Sequence, residues 1–184
     1  MKRPLDYTSI KHAMDTCDGK QYLSKNDIEG FYRSIYENIG DLMTSSEITM
    51  FLIENGVDPI KYVKTKIPYA MFFSETVPNN LIKNKVLILP TNIKTIEDYA
   101  FAKADGFDGV DLRGIEFVRR AAFNAASCDY IITDGSYKQI DRLAFKNCDT
   151  KTVYIDDSKY DFEEIKQLLL WYIEWENEPH FERI

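Results

Sequence analysis

Residues 89–101 read Leu89-Pro90-Thr91-Asn92-Ile93-Lys94-Thr95-Ile96-Glu97-Asp98-Tyr99-Ala100-Phe101, and the end of this stretch returns twice further along the chain. Ala-Phe pairs stand at Ala100-Phe101, Ala122-Phe123 and Ala144-Phe145, 22 residues apart each time. Four positions before each alanine come Ile96, Val118 and Ile140, and four positions after it come Ala104, Ala126 and Cys148. A period this long is neither helical nor strand alternation. It predicts stacked coils, each burying its apolar side against its neighbours. The three phenylalanines are then the stacked interior, with the small alanines letting coils approach.

Between these blocks lie short β-branched stretches whose alternating members are Leu87/Leu89, Val110/Leu112, Ile131/Thr133 and Val153/Ile155. Each predicts one short strand with those residues inward. The other face of the strands is then Val86, Ile88 and Pro90, Gly109, Asp111 and Arg113, Tyr130, Ile132 and Asp134, and Thr152, Tyr154 and Asp156. Ile67-Pro68-Tyr69-Ala70-Met71-Phe72 reads as a degenerate earlier copy that starts the array near residue 67.

With these motifs in hand, the segment resembles the BspA-type leucine-rich repeats, whose unit runs roughly I-P-x-x-V-x-x-I-G-x-x-A-F-x-x-C. The likeness covers about residues 81–157. It departs from the pattern in having no glycine after Ile96, Val118 and Ile140, in keeping the unit's cysteine only at Cys148, and in placing Thr133 where an apolar residue is usual. Repeats of this type occur in bacterial surface proteins and in some phage and parasite proteins. The resemblance implies a solenoid that binds other molecules and catalyses nothing.

The flanks read differently. Helices are expected at about Tyr7 to Cys17, then behind Ser24 and Asp27 through Ile28, Phe31, Tyr32, Ile35, Tyr36 and Ile39, and behind Thr44 and Glu47 through Ile48, Phe51, Leu52 and Ile53. After the repeats, Ser158 or Asp161 can cap a helix whose apolar face is Phe162, Ile165, Leu168, Leu169 and Tyr172. The expected fold class is α+β: a helical N-terminal region over 1–75, a short four-strand leucine-rich-repeat solenoid over 76–157, and a C-terminal capping helix with an acidic tail over 158–184.

The formal net charge is −7, and residues 151–184 hold 4 basic against 9 acidic side chains. No basic stripe exists to neutralise phosphates, so no direct nucleic-acid partner is expected. The longest apolar run, Leu168 to Ile173, is too short to cross a bilayer, and the N-terminus lacks the apolar core of a secretory signal. Cys17, Cys128 and Cys148 are an odd set without CxxC spacing, as in reduced cytosolic thiols. These features predict a cytoplasmic protein.

The only histidines, His12 and His180, sit in no catalytic motif, and no phosphate-cradling or nucleophile signature is present. Glu174, Glu176, Glu178 and His180 do not form a metal site, because Pro179 breaks the helix between them; they read as a solvated acidic tail. No enzyme activity, cofactor or metal is expected. The binding site expected instead is the outward strand face: Val86, Ile88, Tyr130, Ile132 and Tyr154 form an apolar strip rimmed by Asp111, Arg113, Asp134 and Asp156. Either it meets an intracellular protein partner, as in a phage or bacterial inhibitor or adaptor, or the N-terminal helices cover it and make it core. An alternative from another class is an acidic surface that imitates nucleic acid and inhibits a nucleic-acid enzyme.

Overall fold

The computed structural model describes Thr49, Met50, Ile53, Ile60 and residues 65–184. The helices expected before residue 65 lie outside the described residues, except that Thr49, Met50 and Ile53 are helical. Thr65–Ile184 is a compact unit divided from Met1–Lys64.

Strands of this unit are short because each coil uses only a few residues before turning. They are β1 (Lys66–Ile67), β2 (Ile82–Lys83), β3 (Val86–Ile88), β4 (Thr95–Ile96), β5 (Gly109–Asp111), β6 (Phe117–Val118), β7 (Tyr130–Thr133), β8 (Gln139–Ile140), β9 (Thr152–Ile155) and β10 (His180–Arg183). One helix, α1 (Phe162–Tyr172), lies between β9 and β10. Two sheets result, a six-stranded one ordered β10-β9-β7-β5-β3-β2 and a four-stranded one ordered β1-β4-β6-β8. Neighbours are parallel except β2 and β3, which form an antiparallel pair. Ile96, Val118 and Ile140, seen in the sequence only as a repeating column, are the buried members of the second sheet, and Ile67 completes them.

The core is a column of rings. Phe72, Phe101, Phe123 and Phe145 stack with centroids 5.2, 5.2 and 5.0 Å apart and planes within 11° of parallel. All four are buried. Each such side chain removed from water contributes about 1.5–3 kcal/mol, with roughly 0.5–1.5 kcal/mol more from each ring contact. The backbone is bent sharply to deliver the rings. Ser74, Lys103, Ala125 and Asn147, each two residues after its phenylalanine, adopt φ of 55–59°. This left-handed conformation costs a non-glycine residue about 1–2 kcal/mol. Amide bonds between coils hold it in place: Phe101 N–H to Ala122 O at 2.7 Å, Phe123 to Ala144 at 2.8 Å, and Ala125 to Lys146 at 2.8 Å.

Three expectations are corrected here. The solenoid starts at Lys66 rather than 76, because β1 pairs with β4 and Phe72 joins the ring column. The weak copy at 67–72 is therefore the first coil. A 3-10 turn at Asn79–Leu81 and strand β2 are inserted after it, which displaces Phe72 from the 22-residue period.

The main sheet also has more strands than the expected four. The chain after α1 is no free acidic tail: Trp175 stacks on Phe145 at 6.3 Å, Glu174 pairs with Arg142 at 2.9 Å and Lys146 at 3.6 Å, and β10 adds to β9. The closing end of the ring column is thus covered by an indole.

Finally, α1 buries a narrower stripe than expected. Asp161 caps it, accepting from the amides of Glu163 and Glu164 at 2.9 and 3.2 Å. Ser158 does not cap the helix; its own amide donates to Asp156. Ile165 and Leu169 are buried with Ile173, whereas Leu168 and Tyr172 are exposed. Gly135 explains the seat of the helix, since a Cβ there would lie 2.8 Å from the Ile165 side chain. Thr133, the polar departure from the repeat pattern, is buried with its hydroxyl accepting from the Gly135 amide at 3.2 Å.

Candidate protein-binding face

Parallel register sets the expected residues side by side. Val86, Gly109, Tyr130, Thr152 and His180 form one row across β3, β5, β7, β9 and β10. Ile88, Asp111, Ile132, Tyr154 and Glu182 form the next. Between the rows, Leu87, Val110, Ile131 and Val153 point the other way and are buried at 2% exposure or less. The inward and outward assignment read from alternation is the one the strands adopt. Ile88 is 39% exposed, and Val86, Tyr130, Ile132 and Tyr154 are half-buried.

Tyr130 and Tyr154 meet edge to face, with centroids 5.8 Å apart and planes at 80°. The missing side chain of Gly109 is what lets the Tyr130 ring lie over β5, since a Cβ there would overlap the ring. Burial, followed by the charge of Asp108, raises the Tyr130 phenol above its ordinary value, so the ring meets solvent as a neutral donor.

The rim is an ion network. Arg113 donates to Asp111 through Nε at 3.0 Å and Nη2 at 2.6 Å, a two-pronged pair, and its Nη1 lies 3.7 Å from Asp156. The bond to Asp111 outweighs burial and raises the Arg113 pKa further. Asp156 also accepts from the Ser158 amide at 3.1 Å, and hydrogen bonds from Ser158 hold it below the usual carboxylate range.

Asp134 departs from its expected role. It is buried, taking Lys159 at 2.6 Å and the amides of Gly114 and Ser136 at 3.2 and 3.1 Å. Burial raises its pKa, but these hydrogen bonds outweigh it and leave the carboxyl below its ordinary value. Its bonds lock two turns together, and what faces outward at this place is the opposite charge, that of Lys159.

A scan against protein-family models matches residues 66–167 to the BspA type leucine rich repeat region, in six copies. The chain belongs to the BspA-type leucine-rich-repeat family. No curated protein and no solved structure matches it significantly. The matched span begins at β1 and ends inside α1, so it takes in the first coil. As a leucine-rich-repeat array the chain is a repeat module of the kind that mediates protein interactions.

Sequence reasoning missed His180 and Glu182, which β10 adds to the two rows, and Lys159, which replaces Asp134 at the rim. The four residues of β10 stand outside the 22-residue repeat, so no recurring column marks them as a strand, and β10 exists only because α1 returns the chain beside β9. Lys159 lies 25 residues from Asp134, and no local pattern links them. Among the described residues no group of histidine, cysteine or acidic side chains is arranged to hold a metal, and no helix is long and apolar enough to cross a membrane.

Proposed function

We propose that this leucine-rich-repeat protein is a non-catalytic recognition module that binds an intracellular protein through the outward face of its six-stranded sheet, as an inhibitor or adaptor would. The observation that carries this reading is the apolar strip Val86, Ile88, Tyr130, Ile132 and Tyr154, assembled from residues about 22 apart in sequence and bordered by the Arg113 network. Paired tyrosines offer large, rigid contact area at low entropic cost, and aromatic side chains at an interface centre carry most binding energy. The bordering charges set orientation and encounter rate.

A photo-crosslinking residue at Ile88 or Tyr154 tests this in native-cell extract, with Arg120 on another part of the coil as control. Discrete protein adducts are expected from the first two positions and none from Arg120, with loss of the Ile88 adduct in the Tyr130→Ala, Tyr154→Ala double variant. Equal labelling from all three would remove the proposal. The acidic-mimic alternative has less support, because Glu174 is paired with Arg142 and Lys146 and Asp111 with Arg113. Neutralising Glu174, Glu176 and Glu178 is therefore expected to leave the adducts unchanged.

A further inference from the structure

Where the strand face ends, the turns after β3 and β5 open a cleft of about 350 Å³. Its floor is apolar, formed by Ile88, Leu89, Pro90, Ile93 and Ile115. Its rim carries three cations, Lys94, Arg113 and Lys159, against two carboxylates, Asp111 and Asp134. Asp156, 3.7 Å from Arg113 Nη1, adds a third carboxylate beside the rim, so the two signs balance in number there.

The two signs are also placed at different depths. The Asp111 and Asp134 side chains are 13% and 4% exposed, whereas those of Arg113 and Lys159 are 44% and 57% exposed. Asp111 and Asp134 lie beneath the cations that engage them, and Asp156, at 28%, is less exposed than Arg113, so a visitor to the cleft meets chiefly ammonium and guanidinium groups. Lys94 donates to the Gly114 carbonyl at 3.1 Å and makes no ion pair among the described residues. Gly114 makes this arrangement possible. At φ +76° its amide reaches Asp134 while its carbonyl receives Lys94, a conformation that a side chain would strain.

We propose that this cleft is an anchor site for a protein segment that carries an apolar side chain directly beside a carboxylate. The apolar group displaces water from the floor, and the carboxylate accepts charge-assisted hydrogen bonds from Lys94, Arg113 and Lys159. A volume of this size, at the lower end of the range for ligand pockets, suits one or two side chains and is small for a nucleotide cofactor. Ile88 and Asp111 belong to both the strand face and the cleft, so a segment crossing the face reaches the anchor without a break. The inference rests on the strand-face reading and specifies the chemistry of the partner.

The test is an NMR titration of the full chain with blocked leucyl-glutamate, leucyl-glutamine and leucyl-lysine dipeptides. Shifts are expected to gather on residues 88–94 and 111–115, with the glutamate peptide binding at least about tenfold more tightly than the glutamine one and the lysine peptide not binding. Lys94→Gln, melting at the wild-type temperature, is expected to reduce that preference severalfold. Equal binding of the three peptides, no shifts at about 10 mM, or shifts confined to Tyr130 and Tyr154 would overturn the anchor site. If the peptides fail while the tyrosine double variant still loses its crosslinks, only the cleft assignment falls. Loss of the crosslinking pattern with the peptides still binding would leave the cleft and remove the strand face.

Discussion

Truncating Phe123 to alanine is the perturbation that most directly interrogates the ring column. The side chain is fully buried between Phe101 at 5.2 Å and Phe145 at 5.0 Å, so both faces lose a neighbour at once. Phenylalanine-to-alanine changes in cores cost about 3–5 kcal/mol, the higher values arising where the surroundings cannot collapse into the void. Collapse is resisted here, because amide bonds at 2.7 and 2.8 Å fix the spacing of the coils on either side. A loss of about 4–5 kcal/mol is therefore expected, a large part of the roughly 5–15 kcal/mol that holds an ordinary domain. Urea unfolding followed by tryptophan fluorescence reads it cleanly. The sequence has two tryptophans, Trp171 and Trp175, and Trp175 stacks on the end of the same column. With a slope of ~2 kcal/mol per molar urea, the midpoint should fall by about 2 M at unchanged slope. A loss under ~1 kcal/mol would mean that the rings do not support the coils, and the stacking argument would fail.

Ala125→Gly should stabilise the protein by about 0.5–1 kcal/mol, since φ of 55° strains alanine and not glycine; a decrease in melting temperature would contradict this. Asp134→Asn should cost about 1–3 kcal/mol at neutral pH by weakening charged hydrogen bonds in a buried place. Because the folded-state pKa of Asp134 lies below its ordinary 3.8, the wild-type advantage is complete above that pH and shrinks as pH falls through the lower folded value. Denaturation curves whose separation stays constant from pH 7 to about pH 2 would show that this carboxylate is not the cause. Thiol titration should count three free cysteines in denaturant, whereas in the native state Cys128 and Cys148 should react slowly. Burial pushes the Cys148 thiol up to about 11, and Cys128 is raised as well; fast native reaction of both would place them at the surface.

Much of this architecture was legible in one dimension. A solenoid repeats the same neighbour contacts in every coil, so the period of 22 announced both the stacking and the identity of the ring column. Alternation then separated Leu87, Val110, Ile131 and Val153 from the outward rows, because a strand can turn only every second side chain inward. The first coil, around Phe72, was faint because the inserted hairpin strand β2 removes it from the period.

What the sequence alone determined was the part of the fold made by contacts that recur at a fixed separation. Tertiary structure decided the contacts that occur once. Trp175 closing on Phe145, β10 joining β9, Lys159 reaching Asp134 and α1 settling on Gly135 each join segments by a path that no other coil repeats. The same holds for the cleft. Its floor comes from repeat positions such as Leu89 and Ile115, but a lysine stands outward at its mouth because a buried aspartate 25 residues away holds it there. Periodicity can place a charged side chain on a face; whether that charge is shown or sunk depends on the partner the folded chain brings to it.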